Sequence, residues 1–208
     1  MDTDVLVVGA GPVGLVAACE LARRGVRMRI VDKLAAPTTE SRAILVHARS
    51  LEMLDRIGVA GTLLDTGVRT HQMQMHAGGQ ELARIGLDTV DSVYPYSLTT
   101  AQTETERVLT ERLAELGVTV DRGVELTGRE QDGDGVRATL AHADGTVETA
   151  GVRWVVGADG GHSSVRGLVG TRLAGSFKGE QFVLGDVEAR HELDRSTAGS
   201  SRSPGRTG

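Results

Sequence analysis

Between an apolar, β-branched run (Val5-Leu6-Val7-Val8) and a helical stretch lies Gly9-Ala10-Gly11-Pro12-Val13-Gly14, a G-x-G-x-x-G sequence. The run reads as a strand buried on both faces of a parallel sheet. Each glycine answers a steric demand. Gly9 makes the tight turn out of the strand, Gly11 lets a pyrophosphate approach the backbone, and Gly14 lets the helix pack closely on the sheet. The helix N-terminus then offers free N–H groups and a partial positive charge to phosphate. A helix from Gly11 to Arg24, closed by Gly25, and a second strand, Val26 to Val31, complete a β-α-β unit. That strand ends at Asp32, where a carboxylate accepts hydrogen bonds from an adenosine ribose and repels a ribose 2′-phosphate. The site therefore suits FAD or NAD rather than NADP. In a chain with 28 glycines a tight βα turn without ligand is the bland alternative, and the acid at the end of strand two weighs against it.

The rest of the composition narrows the class. A chain of 208 residues makes one large domain or two small ones with a sizeable core. Lys and Arg total 23 against 28 Asp and Glu, a net charge of −5, which argues against a nucleic-acid or anionic-membrane surface. The apolar run Val5 to Cys19 is preceded by Asp2 and Asp4, where an export signal needs positive charge. It is also too short and glycine-rich to span a bilayer. Cys19 is the single cysteine, which excludes an intrachain disulfide framework and fits a cytoplasmic protein.

Further along, Leu51, Leu54 and Ile57 recur at helical spacing before Gly58. From Thr70 the period becomes two, and Gly78-Gly79 turns into a partner strand at Glu81 to Ile85, a hairpin. Gln102 to Leu116 reads as an amphipathic helix stopped by Gly117. Strands near 122–130, 135–142 and 146–150, punctuated by Asp-Gly pairs, predict a meander, and Trp154-Val155-Val156 predicts another buried strand. Residues 191–208 are nearly devoid of apolar side chains and predict a disordered tail. Several reactive side chains have plainer readings. His71 and His76 point to opposite faces of a strand, Cys19 is a small buried hydrophobe, and Met73 and Met75 pack a core. Ser163 and Ser164 cap the following helix. No metal ligand is assigned.

Four segments together resemble the FAD-dependent aromatic hydroxylases, the single-component flavoprotein monooxygenases that include the polyketide hydroxylases. They are the glycine fingerprint, Ser41-Arg42-Ala43 leading into Leu51-Glu52, Gln102 at a helix start, and Gly157-Ala158-Asp159-Gly160-Gly161-His162-Ser163-Ser164-Val165-Arg166. The last is similar to the family's "DG" motif, and the resemblance covers roughly residues 3 to 190. It implies that Arg42 contacts the FAD phosphate or ribityl region, that Gln102 hydrogen-bonds the same stretch, and that Asp159 helps position FAD. His162 and Arg166 are implied to lie near the route of NAD(P)H, the transient reductant. Pro12, Lys33 and Gly160 join Gly9, Gly11, Gly14 and Asp32 as cofactor-binding candidates, and no catalytic residue is assigned. A guanidinium fork suits phosphate, and an amide suits ribityl hydroxyls. Taken singly, Arg42 reads as a surface ion pair, Gln102 as a helix-start residue and Asp159 as a turn aspartate.

The fold implied is α/β: a Rossmann-like FAD-binding domain with a parallel sheet and β-meander over 1–68 and 101–172. Part of a β-rich substrate domain follows at 69–100 and 173–190. The activity implied is NAD(P)H-dependent hydroxylation of an aromatic or polyketide small molecule, with molecular oxygen delivered through a flavin hydroperoxide. Family members are longer, and their third motif, Gly-Asp followed by Ala, His and Pro, does not occur: Gly185-Asp186 is followed by Val187-Glu188. The expectation is thus a truncated hydroxylase with a frameshifted or artificial end at 191–208. Two alternatives stay open: a non-catalytic FAD-binding remnant, and an NAD-dependent dehydrogenase, for which no catalytic Tyr-Lys or His-Asp pair is found.

Overall fold

The computed structural model describes residues 3–39, 44–77, 80–87, 89–175 and 197–202. In chain order the elements begin β1 (Val5–Val8), α1 (Pro12–Ala22), β2 (Met28–Asp32), β3 (Leu45–Val46), α2 (Ala48–Ile57), α3 (Ala60–Thr66) and β4 (Val68–Thr70). Next come β5 (Gln72–Ala77), β6 (Gln80–Gly86), β7 (Ser97–Thr99), α4 (Gln102–Glu115), β8 (Val120–Arg122) and β9 (Val124–Gln131). The last are β10 (Val136–His142), β11 (Val147–Val152), β12 (Trp154–Gly157), α5 (Ser164–Leu168) and β13 (Thr197–Arg202). The chain divides into two compact units, Met1–Ser41 with Gln102–Phe182, and Arg42–Ala101 with Val183–Gly208. Residues 42–68, grouped with the cofactor domain from sequence, fall in the second unit.

The first unit is α/β in three layers. Its central sheet has the order β12-β1-β2-β8, and every neighbouring pair is parallel. Strand alternation sends Leu6, Val8 and Val31 toward the antiparallel meander β11-β10-β9, where they meet Val124, Leu126, Ala138, Leu140 and Val152. On the other side α1 packs against α4 and against β1 and β2, burying Leu15, Ala18, Cys19, Leu109 and Leu113. Cover on both faces is what lets β1 read as an unbroken apolar run. The Cys19 thiol lies 3.6 Å from the Leu109 carbonyl oxygen, and burial pushes its pKa up to about 11, with Arg112 opposing. It is an inert packing group rather than a nucleophile.

Among the described residues the second unit holds two small sheets. Antiparallel β3-β7-β4 belongs with helices α2 and α3, and Leu51, Leu54, Ile57, Leu63 and Leu98 are buried there. The hairpin β5–β6 forms as its alternation predicts, with a register shift between Met75 and His76. Met75, expected to pack a core, is about half exposed. Two further expectations change. Trp154 is 67% exposed because β12 ends the described sheet order rather than lying inside it. Residues 197–202 of the expected disordered tail form β13, parallel to β5, since an open strand edge pairs through backbone groups whatever the side chains. The remainder of that tail lies outside the described residues.

A polar clamp ties the layers of the first unit together. Arg29 on β2 donates through Nε to Asp121 Oδ2 (2.5 Å) and through Nη1 to Glu148 Oε1 on β11 (2.6 Å). The other Glu148 oxygen lies 3.0 Å from His142 Nε2. The Arg29 hydrogen bond holds the Glu148 carboxyl below the usual range; partial burial opposes it and His142 assists it. A depressed folded-state pKa gives stability that is full above the unfolded carboxyl value, about 4.3, and is lost as pH falls through the folded value. Glu148→Gln is therefore expected to cost about 1 kcal/mol at neutral pH, a figure reduced for its partial exposure. The gap should close toward about pH 3, as thermal denaturation of both proteins across this range would measure.

Candidate dinucleotide site

All four parallel strands end at one edge of the sheet, where open α/β folds bind ligands, and the residues just past those ends converge. Gly9 leaves β1 at φ +101°, its N–H donating to the Val31 carbonyl at 2.8 Å. From the other side the Ala158 N–H donates to the Val8 carbonyl at 2.7 Å. A Cβ on Gly9 would stand 2.5 Å from the Ala158 carbonyl oxygen and 2.8 Å from Asp159 Cα. The exit of β1 and the turn after β12 are thus in backbone contact. One turn further, a Cβ on Gly14 would stand 1.8 Å from the Gly9 carbonyl oxygen, so only glycine lets α1 start this close to the strand.

Gly11 is the opposite case. Its backbone is extended (φ −75°, ψ −179°), no side chain caps this helix end, and a Cβ there would meet nothing within 4 Å. Pro12 occupies the first helical turn, where its missing N–H costs nothing and its fixed φ suits the helix. Open space beside uncapped N–H groups is the setting an anion needs.

Asp32 closes the cradle at the end of β2. Its Oδ2 accepts from the Ala10 N–H at 2.6 Å and its Oδ1 from the Leu34 N–H at 2.8 Å. An ionised carboxylate has about four acceptor positions, so both oxygens retain capacity for ribose hydroxyls. Lys33, next along, is exposed. A residue the sequence did not single out, Arg122 at the end of β8, is the register partner of Asp32. Its Nη1 lies 3.8 Å from Asp32 Oδ2. Only the pairing of β8 with β2 reveals it, because the strand is three residues long and lies far along the chain.

The remaining candidates are engaged locally. Asp159 Oδ1 accepts from the Ser163 hydroxyl at 2.5 Å and Oδ2 from the Val165 N–H at 3.1 Å. Burial works against its charge, but the Ser163 hydroxyl and backbone N–H donors outweigh it and hold the carboxyl below the usual range. Its side chain first fixes the start of α5, which Ser163 caps by accepting from the Arg166 N–H at 2.9 Å. Arg166 folds back, donating to the Gly160 and Gly161 carbonyls. Gly160 has φ +73°, and His162 is exposed. Gln102, half-buried at the first turn of α4, donates through Nε2 to Glu106 Oε1 at 2.8 Å. Arg42 lies outside the described residues. Elsewhere, a cavity of about 320 Å³ bounded by Leu126, Gly135, Trp154 and Val165 contains none of these groups.

The sequence profile of the FAD binding domain family matches residues 2–202. The chain belongs to the FAD binding domain family. The cradle built from Gly9, Gly11, Gly14 and Asp32 fits that cofactor, offering donors to a pyrophosphate and an acceptor to a ribose. This FAD binding domain is similar to 6-methylpretetramide 4-monooxygenase of Streptomyces rimosus, 44% identical over 194 residues, 92% of this chain and 34% of that protein. Among solved structures, OxyS anhydrotetracycline hydroxylase from Streptomyces rimosus matches with a TM-score of 0.76 and 35% identity, over 85% of this chain and 35% of that one. The flavin-dependent monooxygenase PieE in complex with FAD and substrate matches with a TM-score of 0.75 and 28% identity, over 85% and 33%. The chain spans about a third of the length of these relatives.

The steric contrast between two glycines of this turn is measurable. Gly14→Ala drives a methyl into a backbone oxygen and is expected to destabilise by at least about 2 kcal/mol. Gly11→Ala adds one to open space in extended backbone and should stay within about 0.5 kcal/mol of the parent. Urea denaturation of the two variants reads the difference.

Proposed function

We propose that this chain holds FAD for an NAD(P)H-dependent monooxygenase that hydroxylates an aromatic or polyketide small molecule with molecular oxygen. The observation that carries the reading is the pairing of a packed Gly14 with an open, uncapped Gly11, beside a carboxylate already hydrogen-bonded to the same loop through the Ala10 N–H. The relatives' names, a 6-methylpretetramide monooxygenase and an anhydrotetracycline hydroxylase, support the substrate class. When bound, FAD supplies the transfer of electrons from NAD(P)H to oxygen and of one oxygen atom to substrate.

The chain's own groups then have positioning work. The Gly11 backbone and the first turn of α1 hold the pyrophosphate, and Asp32 orients the adenosine ribose. Gln102 and Arg42 serve the ribityl and phosphate stretch; Asp159 fixes the turn through which Gly160 approaches the cofactor. His162 and Arg166 stand on the side that receives the nicotinamide reductant. Residues of the second unit contribute to the substrate domain, and the setting is cytoplasmic, in keeping with a single buried thiol. No described helix is long and apolar enough to cross a membrane.

The purified protein is expected to carry, or take up, FAD with the absorption spectrum of an oxidised flavin. Gly11→Val places its Cβ in open space and its methyls where the pyrophosphate would lie, so FAD affinity should fall by about a hundredfold or more with the melting temperature close to the parent's. Full flavin occupancy in that variant overturns the placement. NAD(P)H oxidation yielding hydroxylated product assigns turnover to this chain, whereas oxidation yielding peroxide alone limits it to cofactor binding and reduction.

A further inference from the structure

Among the described residues, one buried side-chain nitrogen or oxygen has no hydrogen-bond partner: Nη2 of Arg122. The Arg122 side chain is 18% exposed and stands against that of Asp32, itself 12% exposed. Its nearest carboxylate contact, Nη1 to Asp32 Oδ2 at 3.8 Å, is an ion pair but too long for a hydrogen bond. Asp32 meanwhile directs both oxygens at backbone N–H groups of Ala10 and Leu34. Arg122 is therefore held near a negative charge while its Nη2 lacks a protein acceptor. Most buried polar groups have a partner in protein or ordered water, so a donor without one asks for an explanation.

Position says which part of a ligand it meets. The sheet order runs β1, β2, β8, with neighbouring strands about 4.8 Å apart. The phosphate loop leaves the end of β1, the ribose carboxylate stands at the end of β2, and Arg122 is its register partner at the end of β8. A dinucleotide lying along this edge, pyrophosphate over the first strand and ribose over the second, carries its adenosine toward the third.

We propose that Arg122 is a positioning residue for the adenosine half of FAD, its unpaired guanidinium N–H donating to acceptors of the ribose or adenine. This rests on the proposed FAD binding and adds to it a specificity contact on a strand outside the β-α-β unit. Arginine suits the place because its planar fork can serve a carboxylate and a ligand at once, whereas a lysine ammonium is a point charge that must choose.

Titration of the full 208-residue apoprotein with FAD and, separately, with ADP tests the assignment. ADP shares the adenosine and pyrophosphate but lacks the flavin. Arg122→Met, which keeps an apolar stem, is expected to weaken both ligands by a similar factor, about ten- to a hundredfold. Arg122→Lys should fall between, with an apoprotein melting temperature close to the parent's. If Arg122→Met does not fold, Arg122→Lys alone decides. Unchanged FAD and ADP affinity in a folded variant overturns the proposal and leaves FAD binding standing, as when a water satisfies Nη2. Loss of FAD affinity with ADP affinity intact also overturns it, because the effect then lies in the flavin half. A parent protein that binds neither ligand overturns both this assignment and the FAD reading.

Discussion

The start of α1 is set by a contact between two glycines, and much of the first unit depends on it. With the Gly14 Cβ position 1.8 Å from the Gly9 carbonyl oxygen, the helix can begin nowhere but directly over the strand exit, its N-terminus at the carboxyl edge of the sheet. That fixes α1 across β1 and β2, and α4 then packs on α1. Because β1 lies between β12 and β2 in parallel register, the ends of three strands arrive beside the same helix terminus. The site is thus a product of sheet order and one close approach, with side chains added at the margins.

Two aspartates show how similar local sequences take different work. Asp32 ends a buried strand and engages the Ala10 N–H on the glycine turn and the Leu34 N–H just past its own strand. It couples the two loops and still has lone pairs to offer. Asp159 also stands after a strand, but both of its oxygens are directed into the beginning of α5, at Ser163 and Val165. Its value lies in holding a glycine turn whose backbone abuts Gly9. The difference lies in the downstream neighbours of each aspartate. Asp32 is succeeded by Lys33 and Leu34 in an open stretch, Asp159 by a short helix whose N–H groups need acceptors.

Local sterics and periodicity made much of this legible in the sequence. The glycine turn, the helix over 102–115, the hairpin and the meander each carry their own signal, because neighbours in sequence decide them. What escaped was decided by distant partners. β3, β4, β7 and β8 are two or three residues long, too short for a period to register, and exist because other strands pair with them. The exposure of Trp154 depends on sheet order, which an apolar triplet cannot encode. β13 pairs through its backbone and leaves no mark in side-chain pattern. Arg122 escaped for the same reason, since its meaning comes wholly from the register that sets it against Asp32.

The electrostatic layout of the edge bears on what a dinucleotide asks of its protein. A helix N-terminus attracts phosphate, and a carboxylate beside it would oppose that attraction if its charge were free. Asp32 is instead engaged by the Ala10 N–H of the glycine turn, with the Arg122 guanidinium 3.8 Å away, so part of its charge is compensated within the protein. Anion binding at β1 and hydroxyl binding at β2 can then coexist within one strand spacing. A cofactor that carries the redox chemistry itself requires of the protein position, orientation and the right local field. At this edge the groups available for such tasks are backbone N–H groups and the Asp32 carboxylate, placed by a parallel sheet covered on both faces.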